Sequence, residues 1–548
     1  MSTFKKVVSV LVSITFISGL AFAEMSSKAK KAEKLAGSGK IEEALEIYRE
    51  LMEKDPQKNP ELIKEGRAGV ASCLVIKLKG LYDGKKYGEA KTAADNIIRE
   101  YKETPSVKEA AKYLVSSQIE LSRALVEAKK YDQCVTQSKA VLDKTPEGTE
   151  GIEELGGILG GALYAQGRNA LDDGDFANAI SKFESVVKDY SQTDKLEQSR
   201  EDLSEAYLKL GALFTQQKNY IEAIGVFDKL MAGFSDAPEV ILEAKKGMAK
   251  VLLAQADEDI VAKKYEDAIK NLNSALGVST EKQGEAQCKY ALGMCLGKVH
   301  QHEKAITEYK DVIANYPGTD YVSASYADLY AVYLELDYKE QALDNIEHAV
   351  QSAPGNSDYL FKQMQLQYDL NKTQEAQSSA QKLLDILPQE IAKTYTNRET
   401  LQFRMGQSYL VLGKFTEAIV EFEKALSRNP DMLETKKSLA FAMFNDKDYK
   451  DALGIYESLI KYYSAGFNAL GDASAKQGDT DLEKRKENML KDIAYFHFRE
   501  GLCYEQLAQY DKALAECKKG LEGVSTQEAA EAIKRIDAKA AQKSEPAQ

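Results

Sequence analysis

An all-α chain of about twelve helix-turn-helix hairpins, stacked in chain order as an α-solenoid, is the architecture this sequence predicts, and three observations carry the prediction. The first is composition: among 548 residues only 10 are proline, and long runs rich in Ala, Leu, Glu, Lys and Gln favour helix almost everywhere. The second is a recurring pattern in which an aromatic residue precedes a small one by three places, followed by a helical apolar face. Tyr87 and Ala90, Phe176 and Ala179, Tyr220 and Ala223, Tyr265 and Ala268, Phe415 and Ala418, Tyr449 and Ala452, and Tyr510 and Ala513 show it, and Tyr131 pairs with Cys134 in the same way. Ala44, Ala305, Ala342 and Ala376 keep the small residue without the aromatic, which brings the units to twelve. The third is proline placement. Pro56, Pro146, Pro317, Pro354, Pro388 and Pro430 each lie twelve residues after a marker, and a residue without an N–H should stop one helix and open the next.

In chain order, the first element is a leader. Lys5 and Lys6 form a charged start, Val7 to Leu20 are almost wholly apolar, and Ala21-Phe22-Ala23 gives a small-x-small cleavage pattern before Glu24. Residues 1–23 are therefore expected to be a cleaved signal peptide, preferred over a retained anchor because the stretch is short for a membrane span. Nothing after Glu24 approaches an apolar span, and no Cys follows the apolar stretch to carry a lipid.

The hairpins follow. Markers at 44, 90, 134, 179, 223 and 268 are separated by 44 to 46 residues, whereas those at 305, 342, 376, 418 and 452 follow at 34 to 42. Two arrays are expected, residues 24–280 with long hairpins and 281–524 with shorter ones. Ten extra residues shared by two helices would lengthen each by about 7 Å. Four residues beyond the marker, Tyr48, Phe183, Phe227, Tyr309, Phe422 and Tyr456 fall on the same helix face, so the small residue lets two helices approach and the ring fills the gap beside it. The last step, from 452 to 513, is irregular, and 464–494 reads either as a degenerate thirteenth hairpin or as a loop with one long helix running into Tyr495. Residues 525–548 read as an Ala-rich capping helix and a frayed tail, since a terminal repeat must hide its open face.

Upstream of the markers lies a second signature, with Leu210-Gly211 and Phe214, Leu292-Gly293, Gly406 and Tyr409, and Gly501 and Tyr504 at matching offsets. With these motifs the chain resembles the tetratricopeptide-repeat (TPR) family from about Lys31 to Leu521. That resemblance implies a right-handed superhelix of helical hairpins. The family's tryptophan is absent, and Tyr207 occupies its slot in one unit. The connector Tyr316-Pro317-Gly318-Thr319-Asp320-Tyr321 resembles the turn of bacterial envelope members such as the outer-membrane assembly lipoprotein and the Tol-Pal coordinator. Tyr190-Ser191-Gln192-Thr193-Asp194 is a weaker echo of it.

Chemistry is conspicuous by its absence. The formal net charge is -13, from 73 Lys plus Arg against 86 Asp plus Glu, and no run supplies the basic face a nucleic-acid binder needs. The four histidines, His300, His302, His348 and His497, show no His-Glu-x-x-His pair, and His300 and His302 would alternate across a helix, so no metal site is expected. Gly37-Ser38-Gly39-Lys40 lacks the spacing of a phosphate loop and reads as a turn, and the glycines at 156, 157, 160 and 161 read as helix contacts. Cys503 and Cys517 fall on the two helices of the last hairpin, where either a disulfide or two small buried hydrophobes fits. Neither a cofactor nor an enzymatic activity is expected.

The expected function is a non-catalytic scaffold in the periplasm that binds other proteins or peptides of the cell envelope. Stacked hairpins make a concave wall from the first helix of each unit. The residue fifteen before each marker lines that wall in the family, which implies Tyr164, Leu208, Tyr290, Phe361, Phe403 and Phe498 as the groove, and the same offset also gives Leu253, Ala327 and Lys437. Most of these are large and apolar, so apolar or amphipathic segments are the expected ligands.

Overall fold

The computed structural model describes residues 27–53, 60–472, 480–523 and 527–544, and these residues form helices joined by turns, with no strand. The leader 1–23 and Pro56 lie outside the described residues. Chain order gives twelve helix-turn-helix pairs and a final helix. The first pairs are α1 (residues 27–37) with α2 (Ile41–Met52), α3 (Pro60–Asp83) with α4 (Tyr87–Glu100), and α5 (Ser106–Glu127) with α6 (Tyr131–Leu142). Next come α7 (Ile152–Asp172) with α8 (Phe176–Asp189), α9 (Leu196–Gln216) with α10 (Tyr220–Gly233), and α11 (Pro238–Val261) with α12 (Tyr265–Val278). The shorter pairs are α13 (Lys282–Lys298) with α14 (His302–Asn315), α15 (Tyr321–Glu335) with α16 (Lys339–Ser352), and α17 (Ser357–Asp369) with α18 (Thr373–Lys393). The last are α19 (Arg398–Val411) with α20 (Phe415–Arg428), α21 (Leu433–Asn445) with α22 (Tyr449–Asp472), and α23 (Thr480–Gln506) with α24 (Tyr510–Gly523), followed by α25 (Gln527–Ser544). Contacts divide the chain into two units, residues 1–258 with 277–280, and residues 259–276 with 281–548.

Every pair turns the same way. The residue two before each second helix has positive φ, at Gly39, Lys85, Lys129, Gly174, Lys218, Lys263, His300, Asp337, Asn371, Gly413, Lys447 and Ala508. The next N–H then reaches back five residues, as in Lys86 to Leu81 at 2.9 Å, Asp175 to Ala170 at 2.8 Å and Tyr338 to Tyr333 at 2.8 Å. This is the left-handed helix cap, which satisfies the orphan carbonyls of the first helix and reverses the chain in two residues. The Gly37 to Lys40 run is one such turn.

All twelve marker residues, from Ala44 to Ala513, have no exposed surface. The rings four residues later pack where the first helix has no side chain. A Cβ on Gly167 would stand 2.6 Å from Phe183, on Gly211 2.5 Å from Phe227, on Gly293 2.7 Å from Tyr309, and on Gly406 2.4 Å from Phe422. The ring therefore fills a notch in its partner helix, and within each unit the core is a set of small clusters shared by neighbouring pairs, as expected of repeats. Gly160 serves a connector instead, lying against Tyr190 and Thr193.

Two expectations are corrected, and of the two readings of residues 464–494 the long helix running into Tyr495 is the one seen. The extra residues of the long repeats are not shared between two helices: α3, α5, α7, α9 and α11 have 21 to 24 residues, while α4, α6, α8, α10 and α12 have 12 to 14. The first helices α13, α15, α17, α19 and α21 have only 13 to 17. In these five repeats the growth is confined to the first helix, whereas the second helices α18 and α22 lengthen elsewhere to 21 and 24 residues. Pro388 does not end a helix but lies inside α18, exposed, where it removes one backbone bond without a clash that the core would feel. Residues 464–494 form no separate hairpin in their described part. They are the extended end of α22 and the extended start of α23, which touch where Gly466 meets Met489.

Candidate protein-binding cavity

The second unit holds a cavity of about 570 Å³ built almost wholly from first helices. Tyr330 and Leu334 come from α15, Met364 to Leu366, Tyr368 and Asp369 from α17, Gln407, Leu410 and Val411 from α19, Lys437, Ser438 and Phe441 from α21, and Tyr495 from α23; Lys339 of α16 joins them. These helices put their other faces into the core: Leu360 and Phe361 on α17, Met405 on α19, Leu439 and Ala440 on α21. What is left toward the cavity is about equally apolar and polar, with Tyr368, Phe441 and Tyr495 beside Lys339, Asp369, Gln407 and Lys437. Tyr368 and Tyr495 are 52% and 43% exposed and stand as aromatic walls open to solvent. The N-terminus of α17 is fixed by Asn356, whose side chain accepts from the N–H groups of Asp358 and Tyr359.

One charge of the cavity is held rigidly. Lys437 Nζ donates to Glu434 at 2.9 Å and Asp492 at 3.2 Å, and lies 5.1 Å above the Tyr463 ring and 5.6 Å above Phe496. Burial works against its ammonium, but the bond to Tyr463 and the two carboxylates outweigh it and keep the charge well beyond its usual range. Behind Phe441 lies Arg499, buried, its guanidinium 5.1 Å from that ring and 4.5 Å from Phe444. Gln407 Nε2 donates to Ser438 Oγ at 2.6 Å, joining α19 to α21 across the cavity wall.

The six residues read from the sequence as a groove lie elsewhere on the same kind of helix. Phe361 is 8% exposed and meets Phe403 edge-on at 6.2 Å; Phe403 is half-buried and tilts onto Phe422 at 6.0 Å. Phe498, also 8% exposed, packs among Leu502, Cys517 and the α25 residues Ala529 and Ile536. Tyr164 is half-buried against Phe183, Leu208 half-buried on α9, and Tyr290 half-buried between Tyr309 and Tyr321. None of the six lines the cavity, though Lys437 at the same offset does; the cavity residues on α17 and α19 come three to eight places after Phe361 and Phe403. The signal that finds them is an apolar side chain on a helix face the core does not use, as at Tyr368.

The cysteines and histidines also take definite places. All six cysteines are buried. Cys503 and Cys517 do not bridge, because Cys503 belongs to the cluster of Tyr456 and Phe496 whereas Cys517 lies among Phe498, Ala513 and Ile536. Burial pushes the Cys503 thiol up to about 12 and the Cys517 thiol up to about 11. The argument that His300 and His302 cannot share a face is overturned. His300 is the left-handed turn residue, not a helical one, so helical alternation does not apply and the two rings meet at 5.7 Å. His497 Nδ1 lies 2.8 Å from Glu516 and 3.6 Å from Glu500, a closed ion-pair cluster between α23 and α24. Among the described residues no helix is long and apolar enough to cross a membrane.

Comparison with known proteins bears on the same helices. Residues 164–238, 287–319 and 400–432 each match a sequence model of the tetratricopeptide repeat. The TPR repeat-containing protein YpiA of Bacillus subtilis (strain 168) is 24% identical over 231 residues, which are 40% of this chain and 51% of that protein. The chain thus spans about half the length of the curated relative it matches. Among solved structures, a tetratricopeptide repeat protein from Parabacteroides merdae is similar at 13% identity over 53% of this chain and 98% of that one, with a TM-score of 0.33. The Cut9-Hcn1 hetero-tetramer of APC/C gives 13% identity over 92% of this chain and 88% of that one, TM-score 0.31. Pseudomonas aeruginosa pilF gives 16% over 47% and 99%, TM-score 0.30. With the helical pairs, the buried small markers and these three matched stretches in hand, the chain carries tetratricopeptide repeats at residues 164–238, 287–319 and 400–432.

Proposed function

We propose that this protein is a non-catalytic interaction scaffold of the bacterial periplasm that holds apolar or amphipathic segments of partner proteins in the cavity formed by α15, α17, α19, α21 and α23. Tetratricopeptide repeats generally mediate contacts between proteins, and the repeat fold is typically non-catalytic. The observation that carries the reading is the placement of Tyr368 and Tyr495, large aromatic side chains left open to solvent on first-helix faces that the core does not use. The periplasmic location is supported by the charged start, apolar stretch and Ala21-Phe22-Ala23 of the leader. The resemblance of the Tyr316 to Tyr321 connector to envelope proteins supports a narrower reading, an accessory role in outer-membrane or envelope assembly, with proteins of the envelope as partners.

The test places a photo-crosslinking amino acid at Tyr368 and at Tyr495 in intact cells and identifies the adducts by mass spectrometry. Crosslinks to one envelope protein, lost in a Leu410→Glu, Val411→Glu variant whose helical circular dichroism is unchanged, support the reading. Recovery of the same adducts from that variant sinks the cavity as the contact. Mass of the protein in the osmotic-shock fraction tests the location: a chain beginning at Glu24 supports export, and one retaining Met1 in the cytoplasm refutes it.

A further inference from the structure

We propose a divalent transition-metal site of the zinc class formed by His300, His302 and Glu335, away from the cavity and independent of its role. His300 is the left-handed residue of the turn between α13 and α14, His302 opens α14, and Glu335 is the last residue of α15. Each offers one ligand atom, and the three atoms all lie within 4.8 Å of one another. Two imidazoles and a carboxylate are the donor set that holds catalytic zinc with a fourth position open, and all three suit nickel and copper as well.

The geometry around His302 separates this cluster from an ordinary ion pair. Its Nδ1 has no solvent contact and no hydrogen-bond partner, yet it faces Glu335 Oε2 at 3.7 Å. That separation is too long for a hydrogen bond. A zinc ion with ligand bonds of about 2.0–2.2 Å at a tetrahedral angle sets its ligand atoms about 3.4 Å apart, so the His302–Glu335 pair closes by a few tenths of an ångström and the pairs with His300, within 4.8 Å, by at most about 1.4 Å. The rest of the site can make that shift: the Glu335 side chain is 62% exposed and His300 is exposed, whereas His302, 19% exposed, is the fixed member. The other histidine cluster differs at this point. His497 Nδ1 already sits at hydrogen-bond distance, 2.8 Å, from Glu516, and Lys519 pairs with the same carboxylate at 2.8 Å, so its charges are mutually satisfied and no donor is left over.

Because one ligand set comes from the α13–α14 turn and the other from the end of α15, the ion would tie two successive repeats together at their turn edge. The test is calorimetric titration of zinc chloride into the full chain, purified without a polyhistidine tag and stripped with chelator, in parallel with cobalt chloride followed by visible absorption. One saturable equivalent is expected, with a cobalt spectrum of a low-coordinate nitrogen and oxygen site. His302→Gln and Glu335→Gln should each weaken it by more than the roughly 10–100-fold that loss of a supporting partner costs, while His497→Gln leaves it unchanged. Absence of a saturable equivalent overturns the site. So does equal affinity in His302→Gln, or loss confined to His497→Gln, which would move the metal to the other cluster. Unchanged helical circular dichroism in each variant ensures that lost binding is not lost folding.

Discussion

Gly406→Ala tests the notch that joins the two helices of a repeat. Two effects of known size oppose each other. Alanine is better than glycine inside a helix by about 0.8–1.0 kcal/mol. Against this, the new Cβ would stand 2.4, 2.6 and 2.8 Å from three carbons of the Phe422 ring. That ring has no exposed surface and no solvent to swing into. Overpacking of a fixed core residue costs about 1–3 kcal/mol, and contact with three ring atoms belongs at the upper end. A net loss of about 1–2 kcal/mol is expected. Gly454 on α22 supplies the control: it is exposed with nothing within 4 Å of its Cβ position, so Gly454→Ala should stabilise by up to about 1 kcal/mol. Because a repeat stack opens locally, the assay is hydrogen exchange of the α19 and α20 amides beside urea unfolding read by circular dichroism. In a Phe422→Leu background the penalty at Gly406 should shrink. If Gly406→Ala is as stable as the parent, or moves in the same direction as Gly454→Ala, the notch does not constrain the fold and the reasoning is wrong.

Three further outcomes follow from the same structure. Ala508 holds the left-handed turn between α23 and α24 at φ 55, a conformation that costs an L-residue about 1–2 kcal/mol, so Ala508→Gly should raise the stability of the last repeat, measured by exchange of the α24 amides; a fall would contradict the turn. Pro388→Ala restores an N–H in the middle of α18 and should raise stability by about 2–3 kcal/mol in urea unfolding, and no gain would mean that α18 does not continue through this position. Glu505, whose side chain has no exposure, accepts from Arg535 at 2.9 and 2.7 Å and from Lys539 at 2.9 Å, fastening α25 to α23. Arg535 and Lys539 hold that carboxyl below its ordinary value of 4.5, Arg535's bonds first, though burial opposes them. A depressed folded value means that the stabilisation is complete above pH 4.5 and disappears as the pH falls through the lower, folded value. Both cations are about half exposed, so Glu505→Gln should cost only about 1–2 kcal/mol, seen as faster exchange of α25 at pH 6; unchanged α25 protection in the variant rules the fastening out.

The repeat was legible because its strictest demand is local. Where a second helix crosses its first, a small residue sits at the crossing, in half of the repeats with a ring beside it, and Ala179 with Phe183 or Ala418 with Phe422 writes that demand into five consecutive positions. The turns were hidden by the same logic. Nine of the twelve left-handed residues are not glycine, Lys85, Asp337 and Ala508 among them, so the residue type that usually announces such a turn is missing and only the spacing betrays it. Spacing reports the sum of two helices and not its division, which is why the long first helices α3 to α11 could not be read from a period of 44 to 46 residues.

The cavity was hidden for a different reason, and that reason says where specificity resides. An offset counted from the marker mostly identifies positions that the repeat spends on its own packing, Phe361 against Phe403, Phe403 against Phe422 and Phe498 under α25, with Lys437 as the position that faces the cavity instead. Side chains free to meet a partner are those the stack does not consume, and they sit about one to two turns away on the same first helices. Substituting Tyr368 or Tyr495 should therefore alter what is bound while leaving the stack intact, whereas substituting Phe361 should disturb the stack before it alters any partner. His300 follows the same division of labour at the turn edge. The turn requires a left-handed backbone there but leaves the side chain unassigned, and the side chain is then available, with His302 and Glu335, for chemistry that the repeat does not need.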